Sequence, residues 1–261
     1  MDDIDTPLLV QICEGIATLT LNRPAARNAL SVGLMQALQT ALAEVDADPS
    51  VHVVVLAGNG PAFCAGHDLR EMRADPRREA HSALFGQCSN LMLQIQALRQ
   101  PVIASVHGIA TAAGCQLVAT CDLAVAADTA RFATPGVNIG LFCSTPMVAL
   151  TRSVGRKAAM EMLLTGDMID AGRAKQLGLI NRVVPEAGLD VAVTGLARQI
   201  AGKSPMTLAI GKRAFYDQAE LPIGDAYALA AEVMTRNMQA RDAAEGIDAF
   251  LAKRRPVWMG Y

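Results

Sequence analysis

The stretch TAAGCQLVATCDLAVAADTARFATPGVNIG runs from Thr111 to Gly140. It opens on a turn of small residues, Ala112-Ala113-Gly114, that enters a helix. It continues into Asp122 to Ala127, a short apolar run with the composition of a buried strand, and closes on a second bare spot, Pro135-Gly136. A small-residue turn, a helix and a buried strand in sequence are the parts of a layered α/β architecture, and the rest of the N-terminal two thirds supplies more of the same parts.

Upstream, Leu8 to Cys13 and Ile16 to Leu21 are two β-type runs around Glu14-Gly15, which predicts a hairpin. A helix capped by Ser31 carries Leu34, Met35, Leu38, Leu42 and Val45 at helical spacing, and the β-branched run Val51 to Leu56 follows it. A long amphipathic stretch from Glu79 to Leu98 precedes the strand Pro101 to Val106. After Thr145 the strand signal fades: a short helix from Asp170 to Leu177 stops at Gly178, a brief strand covers Ile180 to Val184, and three more helical segments reach Lys253. Residues 1–200 read as an α/β core and 201–261 as a helical C-terminal region of the same domain, since no Pro/Gly/Ser-rich linker divides them.

Composition narrows the chemistry. A chain of 261 residues, 52% hydrophobic and 18% charged, can bury a sizeable core, and a net charge of −2 offers no basic field for nucleic acid or an anionic membrane surface. Six cysteines without C-x-x-C spacing read as reduced thiols, and the acidic opening MDDIDTPLLV lacks a basic, then apolar, leader pattern; both features predict a cytoplasmic protein. No hydrolase elbow G-x-S-x-G, zincin H-E-x-x-H or P-loop occurs, and Gly58-Asn59-Gly60 has Phe63 where a dinucleotide fingerprint needs its third glycine. No metal site is expected.

What remains is a second small-residue loop, Ala62-Phe63-Cys64-Ala65-Gly66-His67-Asp68-Leu69, behind a strand. That loop, Asn22-Arg23-Pro24 with Asn28-Ala29-Leu30, Pro101-Val102-Ile103-Ala104 and Cys121-Asp122-Leu123 stand in an order and spacing that resembles the crotonase, or enoyl-CoA hydratase/isomerase, family. The resemblance spans residues 8–253. It implies a crotonase-type spiral of ββα repeats with a helical C-terminal trimerisation region, a homotrimer or dimer of trimers, and an acyl-CoA thioester as substrate. Coenzyme A would enter with the substrate, so no separate cofactor is expected. The shared chemistry, a thioester enolate held by two backbone N–H groups, falls here on His67 and Ala113. Ala65, Asp68 and Leu69 belong to the loop that meets coenzyme A, Arg27 and Arg70 are candidates for its phosphates, and Phe250 with Lys253, spaced i,i+3 on one helix face, would reach a neighbouring subunit's ligand.

The hydratases of that family carry a glutamate at each of two places where this chain has Gln116 and Gly136. An amide has no useful basicity near neutral pH, and glycine has no side chain at all. Classical hydration is therefore doubtful. His67 is the nearest titratable substitute, and methylmalonyl-CoA decarboxylases of the family resemble this chain in the triplet Gly66-His67-Asp68. Three readings stay open: a hydratase/isomerase-type enzyme working through an enolate, a decarboxylase- or thioesterase-like enzyme using His67, and a non-catalytic acyl-CoA binder. Cys143, just before a helix, would have its thiol pKa lowered by the helix dipole.

Overall fold

Leu8–Cys13 (β1) and Ile16–Leu21 (β2) pair antiparallel through the predicted two-residue turn, with Glu14 at φ 51° and Gly15 at φ 74°, the left-handed pair that a tight hairpin of this hand requires. The computed structural model describes residues 6–260; the acidic opening read against a leader, residues 1–5, lies outside them. Val32–Ala47 (α1) follows, its first turn closed by Leu34 N–H donating to the Ser31 hydroxyl at 3.1 Å. Every apolar residue named for that helix is buried.

Three ββα units come next. The first is Val53–Gly58 (β3), Ala62–Cys64 (β4) and the helices Leu69–Ala74 (α2) and Arg78–Ala97 (α3). The second is Val102–Val106 (β5), Ile109–Thr111 (β6) and Ala113–Thr120 (α4). The third is Leu123–Ala127 (β7), Arg131–Ala133 (β8), a 3-10 turn over Pro135–Ile139, and Ser144–Ser153 (α5) with Arg156–Thr165 (α6). The first strand of each unit enters a six-stranded sheet and the second a four-stranded one, so the chain climbs as a spiral. Ile169–Asp170 (β9), Ala171–Leu177 (α7), Arg182–Val184 (β10) and Leu189–Ala201 (α8) complete the core. The order in the large sheet is β1-β2-β3-β5-β7-β10, parallel except for the hairpin; in the small one it is β4-β6-β8-β9, with only β8 and β9 antiparallel.

Both faces of the large sheet are covered, which is why its strands read as continuous apolar runs. Val53, Val55, Ile103 and Val125 face Leu189, Val193 and Leu196 of α8, while Val54, Leu56, Val102 and Ala104 face the main core with α1 and α3. The spiral of ββα units agrees with the predicted fold.

Three helices, Pro205–Ala219 (α9), Ile223–Met238 (α10) and Arg241–Leu251 (α11), form the C-terminal lobe. With α8 that makes four helices after Val184 where three were expected; prolines at 205 and 222 start new helices where the composition alone reads as continuous. α10 buries none of its residues. The lobe is tied to the core through Lys212 on α9, whose ammonium donates to the carbonyls of Ile95 and Gln100, each at 2.9 Å, and pairs with Asp122 at 2.7 Å. Tyr216 donates to the other oxygen of Asp122 at 2.8 Å.

Candidate active site

The strands β4, β6 and β8 are parallel neighbours, so their carboxyl ends lie side by side, and each is followed by a tight turn. Those turns are Ala65–Asp68, Ala112 and Thr134–Gly136. They are cross-linked: the Thr111 hydroxyl donates to the Ala65 carbonyl at 3.1 Å, and Ala112 N–H to the Ala133 carbonyl at 2.9 Å. Glycine is required twice. A Cβ on Gly66, at φ 97°, would stand 2.9 Å from the Ala112 methyl, and one on Gly114 would collide with the Cys64 carbonyl.

The Asn22-Arg23-Pro24 and Asn28-Ala29-Leu30 segments set the first turn. Asn28, fully buried, donates to the carbonyls of Asn59 and Ala62 at 2.8 and 2.7 Å, while its own oxygen accepts from Arg23 N–H. Leu30 N–H donates to Gly66 and Leu30 carbonyl accepts from Asp68 N–H, at 2.7 and 3.1 Å, a parallel bridge centred on His67. Peptide groups alternate along a strand, so with Gly66 and Asp68 tied to Leu30 the His67 N–H points the opposite way. Among the described residues it donates to no protein acceptor. Neither does Ala113 N–H, the first donor of α4, where no intrahelical partner exists. Ala112 holds φ 51° and ψ −117°, a conformation that glycine adopts freely and alanine rarely.

Ala65, His67, Leu69, Ala112, Ala113 and Gly136 line one cavity of about 510 Å³. Met72 and Phe85 from α2 and α3, with Ile139, Leu141 and Phe142 from the loop before α5, give it apolar walls; Asn138, Ser144 and Thr145 add neutral polar groups. The His67 ring meets Phe85 edge-on at 5.6 Å, and both its nitrogens are shielded from solvent without a hydrogen-bond partner. Burial lowers the His67 pKa below the ordinary imidazole value, outweighing the opposing backbone group of Leu30, so the ring is neutral at neutral pH.

Other predicted residues stand elsewhere. Gln116 is buried on α4 and is not among the residues lining the cavity; its oxygen accepts from the Cys88 thiol at 4.0 Å. Asp68 caps α2, accepting from Arg70 N–H at 3.1 Å and Glu71 N–H at 3.5 Å, and pairs with Arg23 at 3.0 Å. Burial raises its pKa, but the Arg23 guanidinium and the two amides prevail and the net shift is downward. Arg27 and Arg70 are exposed at the ends of the same loop system, and Arg27 carbonyl accepts from Ala65 N–H at 3.0 Å. Phe250 is 82% exposed. Lys253 does not share its helix face: α11 ends at Leu251, and Lys253 sits beyond it at φ 53°.

Cys143 also departs from expectation. It lines the cavity at the start of α5, yet burial pushes its thiol pKa up, with only partial relief from the Gly136 backbone, where a lowered value was expected. The place of the second missing glutamate is physically closed as well: a Cβ on Gly136 would stand 2.7 Å from the Leu141 carbonyl and 2.9 Å from the Cys143 sulfur. Sequence position alone could not disclose that closure, nor Phe85, which reaches the site from 18 residues downstream of His67 on a separate helix.

Known proteins resemble this chain in sequence and fold. The family model for enoyl-CoA hydratase/isomerase matches residues 11–261. Enoyl-CoA hydratase domain-containing protein 3, mitochondrial, of Xenopus laevis is 48% identical over 97% of this chain and 86% of its own length. Among solved structures, enoyl-CoA hydratase of Mycobacterium smegmatis superimposes with a TM-score of 0.96 at 56% identity, covering 97% of this chain and 99% of that one. Human enoyl Coenzyme A hydratase domain-containing protein 3 gives 0.95 at 46% identity, over 97% and 100%. The relatives from Xenopus laevis, Rattus norvegicus and Homo sapiens are named mitochondrial, which overturns the expectation of a cytoplasmic protein drawn from cysteine usage and the acidic opening. A spiral of ββα units, turns aligned at the ends of its small sheet and a match along nearly the whole length agree: the chain belongs to the crotonase, or enoyl-CoA hydratase/isomerase, family.

Proposed function

We propose that this protein binds an acyl-CoA thioester with the carbonyl oxygen between the N–H groups of His67 and Ala113, and acts as a hydratase/isomerase-type enzyme through the thioester enolate while adding water poorly. The observation that carries this reading is the pair of unsatisfied N–H groups on two residues that line one apolar cavity. Removing a proton from the carbon beside the thioester leaves its electron pair delocalised onto the carbonyl oxygen. Two fixed donors in a low-dielectric site stabilise that oxyanion more than the neutral carbonyl, by about 3 to 4 kcal/mol for one donor in comparable sites.

The proton needs an acceptor. His67 and Cys143 are the titratable side chains lining the cavity, and with the thiol pKa raised the neutral imidazole is the available base. Gln116, an amide outside the cavity's lining, and Gly136, which is bare, argue against the paired-glutamate activation of water. Ala65 and Leu69 would meet the coenzyme, with Arg27 and Arg70 near its phosphates. The apolar surface left on α10, including Met234 at 60% exposure, supports assembly as a trimer or a dimer of trimers, in which Phe250 and Lys253 reach a neighbour's ligand. Leu229 and Val233, by contrast, lie in the groove against α9.

The test is exchange of the protons at the carbon beside the thioester of a saturated acyl-CoA in deuterated water, followed by NMR. The wild-type protein should catalyse exchange, and Ala113→Pro, which removes one donor at the first position of a helix where proline is tolerated, should lower it about 100-fold or more. His67→Gln should lower it comparably. Tight acyl-CoA binding without exchange in the wild type would leave a non-catalytic binder and sink the enzymatic reading.

A further inference from the structure

We infer that the acyl group accepted by this cavity is uncharged and apolar, and that acyl groups ending in a carboxylate are excluded. The inference rests on the reading of the cavity as the acyl-CoA site. Leu69, Met72, Phe85, Ile139, Leu141 and Phe142 supply most of its wall, and among the described residues no Lys, Arg, Asp or Glu lines it. Two carboxylates near the lining in sequence are held in the capping network: Asp68 is paired with Arg23, and Glu71 accepts from Val32 N–H at 2.9 Å on the exposed side of α2. The His67 imidazole adds no positive charge, since burial holds it neutral.

One feature could still have welcomed an anion, because the N-terminus of α5 borders the cavity through Cys143, Ser144, Thr145 and Pro146. Helix N-termini ordinarily present several free N–H groups to anions. Here Ser144 N–H donates to the Phe142 carbonyl at 2.7 Å, Pro146 has no N–H, and Met147 N–H donates to the Cys143 carbonyl at 2.9 Å. Among the described residues, only the N–H of Thr145 in the run 144–147 lacks an acceptor. A carboxylate in this cavity would therefore lose its water without gaining a counter-ion, which costs far more than the hydrophobic gain of the chain that carries it. A neutral chain has no such penalty, and each buried methylene strengthens binding.

Titration calorimetry on the wild-type protein with free coenzyme A, butanoyl-, hexanoyl-, octanoyl- and adipoyl-CoA tests this. Affinity should rise roughly fourfold per methylene along the neutral series, and hexanoyl-CoA should exceed adipoyl-CoA, of equal carbon number, by about 100-fold or more. Leu141→Arg places a cation at a half-exposed wall position and should favour adipoyl-CoA by about tenfold or more relative to wild type. If hexanoyl-CoA binds no better than free coenzyme A, the assignment of the cavity as the acyl site fails. If hexanoyl-CoA binds well but adipoyl-CoA comes within threefold of it, or Leu141→Arg leaves their ratio unchanged, the exclusion of charged acyl groups is overturned while that assignment stands.

Discussion

Ala112→Gly should stabilise this protein, although the substitution removes a methyl group and adds chain freedom. Ala112 is held at φ 51°, ψ −117° by three surrounding constraints: its N–H donates to Ala133 at 2.9 Å, its carbonyl accepts from Gln116 N–H at 3.0 Å, and its methyl group sits against Gly66. A non-glycine residue in such a conformation costs about 1–3 kcal/mol. Glycine relieves that cost but makes the unfolded chain more flexible, a loss of about 0.4–1 kcal/mol. The balance is a gain of about 1 kcal/mol, which for a chain of this length raises Tm by about 2 °C. Differential scanning calorimetry at matched protein concentration reads it directly, since any oligomer makes Tm concentration-dependent. The Ala113 N–H is retained, so acyl-CoA affinity should change less than threefold. A Tm that falls or stays level would show that Ala112 is not strained and that its conformation owes nothing to the constraints named.

Gly136→Glu, alone or with Gln116→Glu, should lose about 1–3 kcal/mol of stability through its contacts with the Leu141 carbonyl and Cys143 sulfur, and should gain no ordinary rate of crotonyl-CoA hydration in a coupled assay. Efficient hydration by that double variant would show that the 141–143 segment yields easily. Because the folded His67 pKa lies below its unfolded value of about 6.5, the unfolded chain binds the extra proton first, so the His67 contribution to stability is present above pH 6.5 and declines as pH falls below it. Denaturant titrations of wild type and His67→Phe across that window should show a shallower pH slope in the variant. Lys212→Met should cost about 3–5 kcal/mol by leaving Asp122 and two carbonyls without their cation, measured as a drop in the guanidinium midpoint.

Several local features were legible because one residue type decides each of them. Glu14-Gly15 fixes a hairpin, Ser31 a helix start and Gly178, at φ 89°, the end of α7. The buried strands of the large sheet were readable from unbroken apolar runs. The small sheet was not, because β4, β6 and β8 have three residues each, too few for any period to show. The site divides the same way. The small-residue turns around His67 and Ala113 announce themselves by composition, whereas the direction of Gln116, the closure at Gly136 and the pairing of Arg23 with Asp68 across 45 positions depend on packing between distant segments. Phe250 and Lys253 were placed on one helix face by spacing alone, and the helix ended first.

The anchoring of α9 through Lys212 has a consequence for how the lobe comes apart. Its ammonium is almost wholly enclosed, with 6% side-chain exposure, and grips two carbonyls and a carboxylate of the core, while no residue of α10 beyond it is fully buried. Local opening should therefore run inward from the end of the chain: amide hydrogens on the outer face of the lobe exchange through small fluctuations, and those around Lys212 only when the core itself opens. Limited proteolysis of the dilute protein should cut first at the Glu220–Pro222 connection and leave α9 attached, a ragged fragment whose boundary is set by one buried cation.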